Sequence, residues 1–344
     1  MVRAGLVVRA GLGESGPPFW HRVIAAVRHR RGRSLSPPER ALLQGLGLRR
    51  LVRGSNALYA FDHGGAPLCL KLYTATGEAN ARREWTALRL LERHGYPSAP
   101  APVHLDLDEP PVALLMARLP GATIRHRRRT RAILAALAEA LRAMYAITRA
   151  DADDGSLPVV LNHQQVGRFL SGWIDEDHEH DVAGLTPLER EALTLVREWA
   201  NGPDPEWIRR PAPLVFSRTD ANFLNCLWDG RRIAIVDYEF AGWKDRVIDL
   251  ADLIEVDAAT AIIFRRPVTP LEDWAWFVER FELSGEERRR LLAAQRWLNW
   301  VFAFRAWRAR AEPARPGPTR VASPAERLAG HVARGRALRG LTVE

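Results

Sequence analysis

Hydrophobic and polar positions fall into two patterns along the chain. Between residues 48 and 117 the apolar positions come in short, often alternating runs, at 48–54, 57–62, 67–73, 101–108 and 112–119. Runs of this length bounded by Gly, Pro and Asp predict strands, and His63-Gly64-Gly65 joins the second and third as a hairpin. One helical segment, roughly 78–94, interrupts them, with Ala81, Trp85, Leu88 and Leu91 on one face. From Arg129 onward apolar positions recur at helical spacing, broken by a strand-rich patch from Leu214 to Val236. Five Ser/Thr-x-x-Glu sequences mark helix starts, because hydroxyl and carboxylate there satisfy free amide donors reciprocally. They begin at Ser36, Thr186, Thr269, Ser284 and Ser323.

This pattern predicts an α+β protein with a small antiparallel β lobe and a larger, mainly helical lobe. The expected boundaries are a partly irregular leader at 1–36, the β-rich lobe at 37–118, the helical lobe at 119–311, and a basic tail with a short helix at 312–344. Composition narrows the class. With 344 residues, 47% hydrophobic and 26% charged, the chain is globular, not disordered, collagen-like or coiled-coil. It has no run of 18 apolar residues and no signal-like start, so a cytoplasmic protein without a membrane partner is expected. Cys69 and Cys226 each sit in an apolar run and read as core thiols, too few for a disulfide framework. Ten of the 12 tryptophans follow residue 170 and read mostly as core.

The net charge of +9 raises the question of polyanions. The clusters that carry it, Arg125–Arg129 and the tail from Arg315, lack interleaved aromatics and any recognised module, so they read as solvated surface and nucleic acid is not expected. The make-up of the charge is more informative. Among 50 basic residues only Lys71 and Lys244 are lysine, and a compact ammonium does different chemistry from a planar guanidinium.

The densest polar constellation lies between Leu214 and Leu253. Asp220 follows an apolar strand, Asn225 comes five residues later, and Asp237 ends a second apolar strand. Carboxylates at the ends of buried strands are costly unless they meet a metal or a charged partner. A hairpin with Asp229-Gly230 at its turn would bring Asn225 and Asp237 together as oxygen ligands for Mg2+, with Asp220 left to accept a hydroxyl proton. Upstream, Lys71 stands mid-strand in register with Cys69 and Tyr73, while Leu68, Leu70 and Leu72 face the other way.

The segment resembles the Asp-x4-Asn…Asp motif of the aminoglycoside phosphotransferase and choline kinase group of protein-kinase-like small-molecule kinases. Asp237-Tyr238-Glu239, Gly242, Asp245 and Asp249-Leu250-Ala251 extend the match. The resemblance implies a bilobal protein-kinase-like fold and transfer of the γ-phosphoryl of ATP, or GTP, to a hydroxyl of a small molecule. By the same likeness Asp220 is the catalytic residue, Asn225 and Asp237 bind magnesium, and Asp249 is structural. Lys71 would contact phosphates with Glu84 as its partner, Gly54, Ser55 and Asn56 would cover them, and Met116 and Leu119 would lie beside adenine.

The family writes His-Gly-Asp where this chain has Arg218-Thr219-Asp220. Arg218 must take over the histidine's bracing, leave the loop differently shaped, or face a phosphate or an acidic substrate. A nucleotide-binding pseudokinase or scaffold is therefore the alternative. The acidic run 175–181 is either a solvated loop or an attractor for a cationic acceptor.

Overall fold

The computed structural model describes residues 17–32, 34–53, 56–74, 76–124, 129–151, 156–161, 184–309 and 321–342. The chain opens with α1 (Pro17–Gly32) and α2 (Pro37–Gly45), followed by β1 (Arg49–Arg53), β2 (Ala57–His63), β3 (Ala66–Leu72), α3 (Glu78–Arg93), β4 (Pro102–Asp106), β5 (Ala113–Ala117) and β6 (Ala122–Thr123). Then come α4 (Arg131–Tyr145), β7 (Val159–Leu161), α5 (Pro187–Ala200), α6 (Asp204–Arg209), β8 (Leu214–Ser217), β9 (Cys226–Trp228), β10 (Ile233–Ile235) and β11 (Gly242–Asp245). The remaining helices are α7 (Arg246–Ile263), α8 (Leu271–Val278), α9 (Gly285–Arg308) and α10 (Pro324–Arg339). None is long and apolar enough to cross a membrane.

Contacts divide the chain into two units. The first comprises Met1–Arg125, Ala150–Pro158 and Leu224–Gly242, the second His126–Arg149, Val159–Phe223 and Trp243–Glu344.

In the first unit the five alternating runs form one antiparallel sheet in the order β1-β2-β3-β5-β4. His63 pairs with Ala66, which leaves Gly64 and Gly65 as a two-residue turn with φ of 58° and 76°. Positive φ at both positions matches the strand twist and is strained for a side chain with Cβ, hence the two glycines. Leu68, Leu70 and Leu72 point into a core closed by Trp20, Val23, Ile24 and Val27 of α1. The leader expected at 1–36 thus contains a core helix. Helix α3 buries Ala81, Glu84, Ala87, Leu88 and Leu91. Trp85, expected on that face, is only half-buried and lies under the Arg89 guanidinium, 5.9 Å from its ring. A second sheet, β10-β9-β6, takes in residues just beyond Leu119-Pro120-Gly121. Gly121 has φ of 114°, and a Cβ there would lie 2.9 Å from the Trp228 carbonyl carbon, so the backbone approach requires glycine.

In the second unit β7, β11 and β8 form a three-stranded sheet beside the helices. Four of the five expected capping boxes form, at Ser36 in the first unit and at Thr186, Ser284 and Ser323 here. The fifth does not. The Thr269 hydroxyl donates instead to Asp257 at 2.6 Å, and α8 starts at Leu271 with no side-chain cap. A buried carboxylate is a better acceptor to satisfy than a solvated helix end.

Part of the arginine excess is internal. Arg129 pairs with Asp257 at 2.9 Å, Arg334 with Glu255 at 2.7 Å, and Arg290 with Asp245, all buried. Arg129, expected on a solvated surface, also packs 4.3 Å from the Phe223 ring. Residues 125–128 of that cluster lie outside the described residues. Helix α10, expected in a basic tail, buries Leu328, Val332 and Leu338. Trp274, Trp297 and Trp300 are core, as expected. Both cysteines are buried free thiols, and burial followed by the charge of Glu84 pushes the Cys69 thiol up to about 12. A thiol held that high is not a nucleophile at neutral pH.

Candidate active site

Lys71 lies on the central strand of the five, opposite Leu58 on one side and Leu114 on the other. Its neighbours along the strand send their side chains to the apolar core, which leaves the ammonium on the opposite face with Tyr73. The Nζ atom donates to Glu84 Oε2 at 2.6 Å and Asp237 Oδ1 at 2.5 Å, and lies 3.1 Å from Glu239 Oε2. Glu84 is held from two further directions, by the Tyr73 hydroxyl at 2.5 Å and the Tyr238 backbone amide at 3.1 Å. The Asn56 side-chain amide donates to Glu239 at 2.7 Å.

Burial disfavours the charged form of Lys71, but the fields of Glu84, Asp237 and Glu239 outweigh it and hold the ammonium's pKa above its ordinary value. Burial raises the Glu84 carboxyl, against the opposing pull of Lys71. One cation therefore faces three carboxylates. A group of acidic oxygens with excess negative charge is stabilised by a further cation.

The hairpin of β9 and β10 sets the geometry of that excess. Asp229 Oδ1 accepts from the Arg231 and Arg232 amides at 2.7 Å each and closes the turn. At the other end the Val236 amide donates to the Asn225 carbonyl at 2.9 Å, so Asn225 and Asp237 lie at the same end of the hairpin. Asp237 has φ of 68°. Ligand oxygens of Glu84, Asp237 and Glu239 lie within 4.8 Å of one another. All three meet at the Lys71 ammonium, and oxygen donors of this hard type are the kind that a divalent cation such as Mg2+ takes. Glu239 carried no role in the sequence reading, although its spacing of two from Asp237 was visible.

The Asp220 loop belongs to the second unit. Strand β8 buries Val215 and Phe216 and delivers Ser217, Arg218, Thr219 and Asp220. Asp220 Oδ1 accepts from the Asn222 amide at 3.0 Å, and the Thr219 amide donates to Ser217 Oγ at 2.8 Å. Arg218 is buried, with its guanidinium 3.4 Å from the Asn222 carbonyl, so it spans the loop it belongs to.

A second brace comes from Asp249 on α7. It accepts from the Tyr145 hydroxyl at 2.7 Å and from Ser217, and pairs with Lys244 at 2.9 Å. Lys244 also reaches Asp252 at 3.1 Å. Burial alone would raise the Asp249 pKa, but Lys244 and these donors lower it, so it stays ionised. The second of the two lysines thus supports the loop, a role its rarity hinted at and no motif revealed. A small hollow borders the loop, lined by Leu141, Met144, Tyr145, Arg218, Asp220 and Asp249 among others.

Thr219 has φ of 64°, where the resembling family has glycine. A β-branched residue in the left-handed region carries strain of about 1–3 kcal/mol. Thr219→Gly is therefore expected to stabilise the protein by about 1 kcal/mol after the added chain entropy is subtracted. A urea unfolding midpoint that stays level or falls would show the strain to be absent.

Of the expected nucleotide-contacting residues, Gly54 and Ser55 lie outside the described residues, as does the acidic run 175–181. Met116 sits inside β5, between β3 and β4. The Ala117 and Arg118 amides are committed to Ala101 and Pro67 at 2.9 Å each, while Leu119 follows the strand.

A family model described as the phosphotransferase enzyme family matches residues 48–292. Among solved structures, a choline/ethanolamine kinase family protein from Mesorhizobium loti is 20% identical over 86% of this chain and 88% of that one, with a TM-score of 0.56. An aminoglycoside phosphotransferase solved with GDP and kanamycin is 13% identical over 85% of this chain and 92% of that one, with a TM-score of 0.56. Another, a thermostable mutant solved with ADP and hygromycin B, is 17% identical over 88% and 98%, with a TM-score of 0.51. A search of curated proteins finds no match. The structural likenesses establish the protein-kinase-like α+β fold expected from the sequence. Because that family match, over residues 48–292, spans well over half of the chain, the chain belongs to the phosphotransferase enzyme family.

Proposed function

We propose that the protein transfers the γ-phosphoryl group of ATP, or of GTP, to a hydroxyl of a small molecule. The observation that carries this reading is Lys71 held by buried Glu84 and facing Asp237 and Glu239. In phosphoryl transfer the protein's work is positioning and charge neutralisation, with little covalent chemistry. Lys71 presents a fixed ammonium to the phosphates, and Glu84 keeps it from following the flexible stem of its own side chain. Asn225 and Asp237 would hold magnesium, with Glu239 beside them; the ion would supply positive charge to the phosphate oxygens. Leu119 offers its backbone to the base. Asp220 accepts the proton of the acceptor hydroxyl as its oxygen bonds to the γ-phosphorus and the bond to the nucleoside diphosphate breaks.

The solved relatives named for choline/ethanolamine, kanamycin and hygromycin B direct the acceptor search to hydroxyl-bearing amines. Thermal-shift screening of amino alcohols, aminoglycosides, sugars and nucleosides, with a non-hydrolysable ATP analogue present, would identify the class.

The metal assignment is tested by calorimetry of ATP binding with and without magnesium. Asp237→Ala is expected to weaken magnesium-dependent binding by about tenfold or more. Equal binding by both proteins would remove Asp237 from the metal site. The second reading, a nucleotide-binding pseudokinase, draws on Arg218-Thr219; binding without any magnesium-dependent ATP hydrolysis would favour it.

A further inference from the structure

Strand β4 is an edge of the five-stranded sheet, and its alternation places His104 and Asp106 on one face. Helix α1 crosses that face. Its Arg28 donates to Asp106 Oδ1 at 3.0 Å and to the Pro111 carbonyl at 2.9 Å. Two turns earlier on the same stripe stands His21, whose ring centroid is 5.0 Å from that of His104. Ligand atoms of His21, His104 and Asp106 all lie within 4.8 Å of one another. The Nε2 atom of His104 is buried and has no hydrogen-bond partner among the described residues. A buried ring nitrogen in that state is costly, and a cation or a hydrogen-bond partner suited to its tautomer satisfies it.

We propose that His21, His104 and Asp106 bind a borderline divalent transition-metal ion of the Zn2+ class, fastening α1 to the sheet edge. The donor set decides the class. Two imidazoles and one carboxylate suit zinc and its neighbours, whereas Mg2+ takes oxygen ligands and holds its waters. Tetrahedral ligands on bonds of about 2.1 Å stand about 3.4 Å apart, so the set must tighten, and exposed His21 is the residue that can turn inward.

Asp106 remains available to the ion. Its Oδ1 takes Arg28 and the Asp108 amide at 3.1 Å, while Oδ2 has Arg28 only at 3.5 Å. Arg28 then orients a ligating carboxylate from behind. His21 precedes the segment that matches the family, whereas His104 and Asp106 lie within it. The site is independent of the phosphotransfer reading.

The test uses the full-length protein, stripped with chelator and titrated with ZnCl2 by calorimetry and thermal unfolding, with MgCl2 as the control. One equivalent of zinc is expected to bind and raise the unfolding midpoint, and magnesium to do neither at this site. His21→Ala, an exposed change that leaves the fold intact, is expected to weaken zinc binding about tenfold or more, and His21→Cys to restore it. Cobalt in place of zinc should give the absorption of a four-coordinate ion in the wild type and lose it in His21→Ala. Absence of zinc binding, or equal binding by wild type and His21→Ala, would overturn the proposal.

Discussion

Lys71→Met is expected to abolish phosphoryl transfer and to destabilise the protein by about 3–5 kcal/mol, the cost of removing one partner from a buried ion pair. The methionine fills the space of the stem, so the loss is electrostatic. Without the ammonium, Glu84 is left with the Tyr73 hydroxyl and the Tyr238 amide, in the field of Asp237. Its pKa, already raised by burial, rises further. A carboxyl whose folded pKa exceeds its unfolded value binds protons more tightly when folded, so its destabilising effect grows as pH rises through the folded pKa and fades below it. The variant's urea midpoint should therefore recover toward wild type in mildly acidic buffer. Adding Glu84→Gln should restore stability at neutral pH but not transfer. Wild-type turnover by Lys71→Met would dismiss Lys71 from the reaction, and a pH-independent stability loss would dismiss the account of Glu84.

The features around Lys71 were legible because each follows from local rules. Strand alternation fixed which face the ammonium occupies, two consecutive glycines set the hairpin register, and helical spacing from Leu88 singled out Glu84 over Glu78 and Glu92. Trp85 was misplaced because periodicity alone cannot tell a fully buried stripe from its border, and a large ring half-covered by Arg89 is an ordinary border residue. Helix α1 escaped notice although Trp20, Val23, Ile24 and Val27 have core spacing, since arginines and histidines crowd its other face. What no local rule reveals is the pairing of distant charges. Lys244 with Asp249 and Asp252, Arg334 with Glu255, and Glu239 with Lys71 and Asn56 depend on tertiary approach. The solvated-surface reading of the Arg125–Arg129 cluster fails at Arg129 for the same reason, since its partner Asp257 lies far along the chain.

Asp220→Asn is expected to lower the transfer rate by about 10²- to 10⁴-fold while leaving nucleotide affinity unchanged. The substitution is chosen for what it keeps. An asparagine side-chain oxygen can still accept from the Asn222 amide, as Asp220 Oδ1 does at 3.0 Å, so the turn survives and only the charge and basicity are lost. Arg218, bridging to the Asn222 carbonyl, is likewise undisturbed. Asp249→Asn supplies the contrast. That change leaves Lys244 with Asp252 as its remaining carboxylate and weakens the Tyr145 and Ser217 contacts, so it should lower the unfolding midpoint along with the rate. A base and a brace therefore separate by which observable moves. If Asp220→Asn turns over at the wild-type rate, another group receives the acceptor's proton; if its midpoint falls as far as that of Asp249→Asn, Asp220 acts by holding the loop, and the hydroxyl is aligned by some other residue.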